Sequence, residues 1–86
     1  MAKMLDKRKV DEVIRINKKY YKTGDTDYLE KLREAAKSAF GENDWVWLGD
    51  IITGITVKYG THYQEPYATY YKVLEVLGYE IKEIEE

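Results

Sequence analysis

His62 is the side chain best suited to acid–base or metal chemistry, and the sequence contains no other histidine and no cysteine. Catalysis by proton transfer or nucleophilic attack needs at least two groups within mutual reach, and His62 has no evident partner. Together with Glu65 it would supply two metal ligands, one fewer than a catalytic zinc site uses. Gly49 and Gly54 lack the Lys-Ser/Thr pair of a phosphate-binding loop. We therefore predict no catalytic, metal or cofactor-binding residues, and a protein that is not an enzyme.

Basic residues of the first predicted helix could instead contact phosphate groups. Five of them share one polar side of a helical wheel: Arg8, Arg15, Lys18, Lys19 and Lys22. Such a stripe can follow the backbone of a nucleic acid, with an affinity that falls steeply with salt. Asp11 and Glu12 interrupt the stripe, and the whole chain carries a net charge of −2. Binding of nucleic acid through residues 7–22 is therefore the alternative hypothesis.

The charges divide unevenly along the chain. Residues 1–40 hold 11 Lys and Arg against 7 Asp and Glu, whereas residues 41–86 hold 3 against 9. Such asymmetry indicates either an anionic partner or two halves that attract each other. In a chain this short, we expect the charges to lie on solvated faces and to pair within the molecule.

Aromatic residues are unusually abundant, with nine tyrosines and two tryptophans in 86 residues. Aromatic side chains build packed cores and recognition surfaces, and most of those here fall on predicted apolar stripes. Four apolar side chains fall outside these stripes: Trp47, Ile51, Tyr63 and Tyr71. We predict that they form an exposed patch that binds another protein.

Glycine-containing breaks divide the chain into segments, of which the first two are predicted to be helices. The first spans residues 6–21, with Asp6 as N-cap and Gly24 beyond its end. Its buried stripe is predicted to contain Val10, Val13, Ile14, Asn17 and Tyr21. The second spans residues 28–40, with Asp27 and Glu30 forming a capping box and Gly41 a left-handed C-cap. Its inner face is predicted to contain Tyr28, Leu32, Ala35, Ala36 and Ala39.

The third segment, residues 45–59, fits two kinds of secondary structure. As a helix, it places one face on Trp45, Leu48, Ile52, Ile55 and Tyr59. As a strand, it places Trp45 and Trp47 on the same side, and its β-branched residues favour that interpretation. Asn43 or Asp44 as an N-cap favours a helix over about 44–53, which is the assignment that we adopt.

The fourth segment is predicted to be a helix that begins near Glu65, with Pro66 at its first helical position. Its stripe contains Tyr67, Tyr70, Leu74 and Leu77, and Gly78 ends it. Residues 79–84 then alternate weakly, as in a short edge strand. The predicted fold is mainly α: one compact domain over 1–86, a bundle of three to four helices with a short C-terminal strand. The alternative is an α+β fold with strands in 45–59.

These observations favour a protein-interaction module, such as a small inhibitor or adaptor of a larger protein. Small acidic, aromatic chains without catalytic residues are similar in style to proteins of this kind carried by phages and mobile elements. A homodimer is the third hypothesis. No apolar stretch approaches the ~20 residues of a membrane-spanning helix, and residues 1–6 lack the apolar run of a secretory signal. We expect a cytoplasmic protein with no membrane partner.

Overall fold

The computed structural model of the chain describes residues 3–60 and 67–83. The elements occur in the order β1 (Lys3–Asp6), α1 (Lys7–Thr23), α2 (Asp27–Phe40), α3 (Trp45–Ile55), a π-helical turn (Thr56–Gly60), α4 (Tyr67–Val76) and β2 (Tyr79–Lys82). The predicted bundle of helices with a short C-terminal strand is confirmed. The predicted helix start near Glu65 and Pro66 lies outside the described residues.

Helix α1 begins and ends at the predicted signals. The Asp6 carboxylate accepts a hydrogen bond from the backbone N–H of Arg8 at 3.1 Å, which caps the first turn. At the other end, the N–H of Gly24 donates to the carbonyl of Tyr20 at 2.7 Å. Gly24 has a φ of +70°, a conformation that glycine adopts without a Cβ clash. Sequence signals at both ends therefore fix the length of α1.

The buried face of α1 differs from the prediction at two positions. Val10, Val13, Ile14 and Asn17 are fully buried as predicted, and Ile16, which was not predicted, is buried as well. Tyr21 is exposed instead, and Asn17 is the last buried residue of α1.

Helix α2 packs against α1 and α3, and its buried residues are Ala36, Ala39 and Phe40. The predicted capping box is wrong. Asp27 is already the first helical residue, and its N–H donates to the carboxylate of Asp25 at 2.9 Å. Gly41 ends the helix with a φ of +88°, which favours glycine, but its ψ of 162° lies outside the left-handed helical cap that was predicted.

Helix α3 confirms the helical assignment of the third segment, and the α+β alternative with strands in 45–59 is wrong. Leu48, Ile52 and Ile55 are its buried residues, at helical spacings of four and three. Burial of this face outweighs the β-propensity of the branched residues, since that propensity depends on packing context. The C-terminal part of the segment continues as the π-helical turn Thr56–Gly60.

Hydrogen bonds inside the bundle tie α1 and α4 to the end of α3 and the turn that follows it. Asn17 Nδ2 donates to Thr53 Oγ1 at 3.0 Å. The buried Thr56 Oγ1 donates to the Ile52 carbonyl at 3.1 Å and lies 2.9 Å from the Tyr70 hydroxyl, which therefore donates to it. Polar groups placed this deeply need such partners, because an unmade hydrogen bond costs about 1–3 kcal/mol.

Strands β1 and β2 form a parallel pair that joins the two ends of the described chain. Lys3 lies opposite Tyr79, and Leu5 lies opposite Ile81. Leu5 is buried, and Tyr79 and Ile81 pack partly against the core. Leu77, predicted on the stripe of α4, is exposed because the helix ends at Val76.

The helices of the described residues are too short or too polar to cross a lipid bilayer.

Replacement of Ile52 by aspartate tests the assigned face of α3. Ile52 is fully buried, so Ile52→Asp places a charge in the core and should abolish cooperative folding. Val76→Asp is the control, because Val76 is 80% exposed and its replacement should cost less than ~1 kcal/mol. Thermal melts followed by circular dichroism measure both. A melt of Ile52→Asp close to that of the unmodified protein would contradict the fold.

Candidate interaction surface

The helical geometry of α3 separates its two tryptophans. Each residue advances about 100° around a helix, so Trp45 and Trp47 lie about 160° apart. Trp45 packs against the core, and Lys37 Nζ lies 5.3 Å from the centre of its ring. Trp47 is 42% exposed. The structure therefore places Trp47 on the surface, as the helical interpretation predicted.

Trp47 is exposed but held in place by contacts to two other parts of the chain. Its ring centre lies 6.2 Å from that of Tyr79 in β2, with the planes tilted by 49°. Its indole N–H donates to Asp44 Oδ1 at 3.4 Å. The other carboxylate oxygen of Asp44 is paired with Lys3 Nζ of β1 at 2.6 Å. We call these four residues, Trp47, Tyr79, Asp44 and Lys3, the Trp47 patch.

Lys3 and Asp44 each shift the pKa of the other towards the charged form. The hydrogen bond and the attraction to Asp44 raise the pKa of Lys3 above its ordinary value. The hydrogen bonds from Lys3 and from the Trp47 indole lower the pKa of Asp44. Both groups lie at the solvent boundary, so their ion pair adds little to the stability of the fold.

Two further apolar side chains are exposed near the start of the strand pair. The N–H of Lys3 donates to the carbonyl of Gly78 at 3.3 Å, and the residues beside this bond, Met4 and Leu77, are both exposed. Met4 lies on the face of β1 opposite the buried Leu5, because successive side chains of a strand alternate. Exposed apolar side chains therefore come from both ends of the described chain at this point.

Ile51 is not the exposed residue that the sequence analysis predicted. It is half-buried and packs against the core. The reason is geometric: Ile51 lies roughly 60° from the direction of Leu48 around α3, whereas Trp47 lies about 100° from it. Ile51 therefore belongs to the edge of the core, one turn after Trp47.

Tyr71 is half-buried and links α4 to α1. Its hydroxyl donates to the carboxylate of Asp11, and Lys7 Nζ lies 5.6 Å from its ring centre. Burial, and then the hydrogen bond to Asp11, raises the pKa of Tyr71 well above its ordinary value. Tyr67 packs edge-on against this ring at 6.5 Å. The prediction that Tyr71 belongs to a freely exposed patch is therefore wrong, since its polar and aromatic contacts are made within the chain.

Tyr63, the fourth predicted member of the patch, lies outside the described residues, as does His62.

The basic stripe of α1 is largely engaged with other groups of the chain. Arg8 Nε lies 3.9 Å from the carboxylate of Asp6, and Arg15 is hydrogen-bonded to Glu12. This second pairing lowers the pKa of Glu12 and raises that of Arg15. Lys18 Nζ lies 5.2 and 5.5 Å from two tyrosine ring centres of α4. The arginines of the stripe therefore already have anionic partners.

The remaining two basic residues have mixed surroundings. Lys19 lines a groove between α1 and α2 that also contains Arg15 and Lys31, together with the carboxylates of Glu12, Glu30 and Glu34. Lys22 is exposed in the last turn of α1, where a cation suits the helix dipole. This alternation of signs does not form a continuous basic surface.

Metal binding finds no support in the described residues, since nowhere in 3–60 and 67–83 do three His, Asp or Glu side chains come together as a metal site would require.

Sequence reasoning missed the partners that hold Trp47. Lys3 and Asp44 are 41 positions apart, and Tyr79, in the strand that pairs with β1, follows Trp47 by 32 positions. No local spacing signals either contact. Comparison with known proteins adds no assignment: the chain matches no protein-family model, and neither the curated proteins nor the solved structures gave a significant match.

Proposed function

We propose that this protein is a non-enzymatic interaction module, a small inhibitor or adaptor that binds a larger protein through the Trp47 patch. The observation that carries the proposal is the orientation of Trp47, which is 42% exposed although its indole N–H and its ring both have partners. An aromatic side chain held in one orientation loses little conformational entropy on binding. Tryptophan is also among the residues most enriched at the energetic centres of protein interfaces.

The charge around the patch supports a basic partner surface. Residues 41–86 carry nine of the sixteen acidic side chains, and Glu42 is exposed two positions before Asp44. Acidic groups at the rim of an interface accelerate association with a basic surface and disfavour acidic ones. We place this interaction in the cytoplasm, because a cysteine-free chain fits a reducing compartment.

Alanine replacement of each tryptophan separates binding from stability. Trp47→Ala should change the free energy of unfolding by less than ~1 kcal/mol and weaken partner binding by more than ~2 kcal/mol. Trp45→Ala should instead destabilise the fold by ~2 kcal/mol or more, because Trp45 packs against the core. Val76→Ala, a change at an exposed position on α4, is the control and should alter neither quantity.

Denaturant melts of the three variants and affinity purification from the native host provide the measurements. The partner recovered with the unmodified protein is then titrated with each variant. If Trp47→Ala retains full affinity for that partner, the Trp47 patch is not the binding surface. If Trp47→Ala melts as early as Trp45→Ala, its indole is part of the core.

Nucleic-acid binding provides a second test, because the alternative function uses the basic stripe of α1. We expect no binding of duplex or single-stranded DNA at physiological salt, since Arg8 and Arg15 are paired with carboxylates of the chain. Fluorescence anisotropy with labelled oligonucleotides at two salt concentrations measures this. Salt-dependent binding that is lost in Arg15→Glu with Lys19→Glu would support the alternative in place of the Trp47 patch.

A further inference from the structure

A groove of about 280 Å³ runs between α2 and α3, on a different side of α3 from Trp47. Its walls expose one large apolar side chain from each helix: Leu29 of α2 is 42% exposed and Val46 of α3 is 55% exposed. Leu29 lies two turns before the buried Ala36, on the same side of α2, so it extends the apolar stripe of this helix to a position that the core does not cover.

Two small residues are among those that line the groove. Ala36 contributes from α2 and Gly49 from α3. A Cβ atom added at Gly49 would meet no other atom within 4 Å, so the space above this residue is open. Small residues at a helix surface let a second backbone approach closely and bring apolar side chains into contact.

The two walls carry opposite charges. Arg33 lies on α2 and Asp50 on α3, and both are exposed. Within the described part of the chain, neither residue takes part in an ion pair. A surface with one cation on one wall and one anion on the other is complementary to itself. A twofold axis through the groove brings Arg33 of each copy towards Asp50 of the other.

We propose that the α2–α3 groove binds the same groove of a second copy of this chain. The resulting dimer buries Leu29 and Val46 of both copies and forms the Arg33–Asp50 ion pair twice. The inference does not depend on the proposed function. Because Trp47 does not line the groove, the dimer leaves both Trp47 patches outside the paired grooves, where they could bind a partner bivalently.

Charge exchange between copies tests the dimer directly. Arg33→Asp alone brings two carboxylates together at both charge contacts, and Asp50→Arg alone brings two guanidinium groups together there. Each variant should raise the dimer dissociation constant about tenfold or more, because like charges oppose each other across the interface. An equimolar mixture of the two variants should form heterodimers, since one copy then supplies both cations and the other supplies both anions. Lys22→Asp and Glu75→Arg, at exposed positions outside the groove, are the matched controls and should dimerise normally.

Sedimentation equilibrium over a range of concentrations measures the masses, and native mass spectrometry resolves the heterodimer. The double variant Leu29→Ser with Val46→Ser should be monomeric while melting close to the unmodified protein, because both side chains are exposed. The inference is overturned if the unmodified protein is monomeric at every concentration, or if the mixture forms no more dimer than either variant alone. The inference is also overturned if the unmodified protein is monomeric and binds a host protein that the groove variants do not bind. The groove would then be assigned to that host protein.

Discussion

Helix α3 completes a turn every 3.6 residues, and this period assigns its side chains to different surfaces of the molecule. The core receives Leu48, Ile52 and Ile55. Val46 and Asp50 line the groove with α2. Trp47 is left on the other flank, against Tyr79 of β2. A β-strand, in which side chains repeat every two residues, would place both tryptophans on one face and would make none of these contacts.

The aromatic residues therefore fall into two classes: those that stabilise the fold and those that are exposed to solvent. The tyrosines of α4 belong mainly to the first class, because Tyr70 is fully buried and Tyr71 is hydrogen-bonded to α1. Trp47 belongs to the second, with its indole N–H donating to Asp44 and its ring beside that of Tyr79. Abundance of aromatic residues therefore does not itself mark a binding surface here. What distinguishes Trp47 is exposure combined with partners for both its indole N–H and its ring.

Local signals in the sequence predicted the helices well, and contacts between distant residues set the limit of that prediction. Asp6 and Gly24 lie at the two ends of α1, as predicted. Their positions could be read from the sequence because a cap acts on residues close to it in the chain. Strand β1 was missed because its four residues bury only Leu5 and pair with a strand more than 70 positions away. The candidate site divides in the same way. The helical period of α3 predicted the exposure of Trp47, whereas its contact with Tyr79 depends on the strand pairing and has no local signal.

Fluorescence of the two tryptophans tests the phase of α3 most directly. Trp47→Phe leaves Trp45 as the sole tryptophan, and Trp45→Phe leaves Trp47. Acrylamide quenching of the folded variants should give a clearly larger quenching constant, and a more red-shifted emission, for Trp47 than for Trp45. Equal constants and coincident emission maxima would place both indoles in the same surroundings. That result would contradict the helical phase of α3 and the surfaces that follow from it.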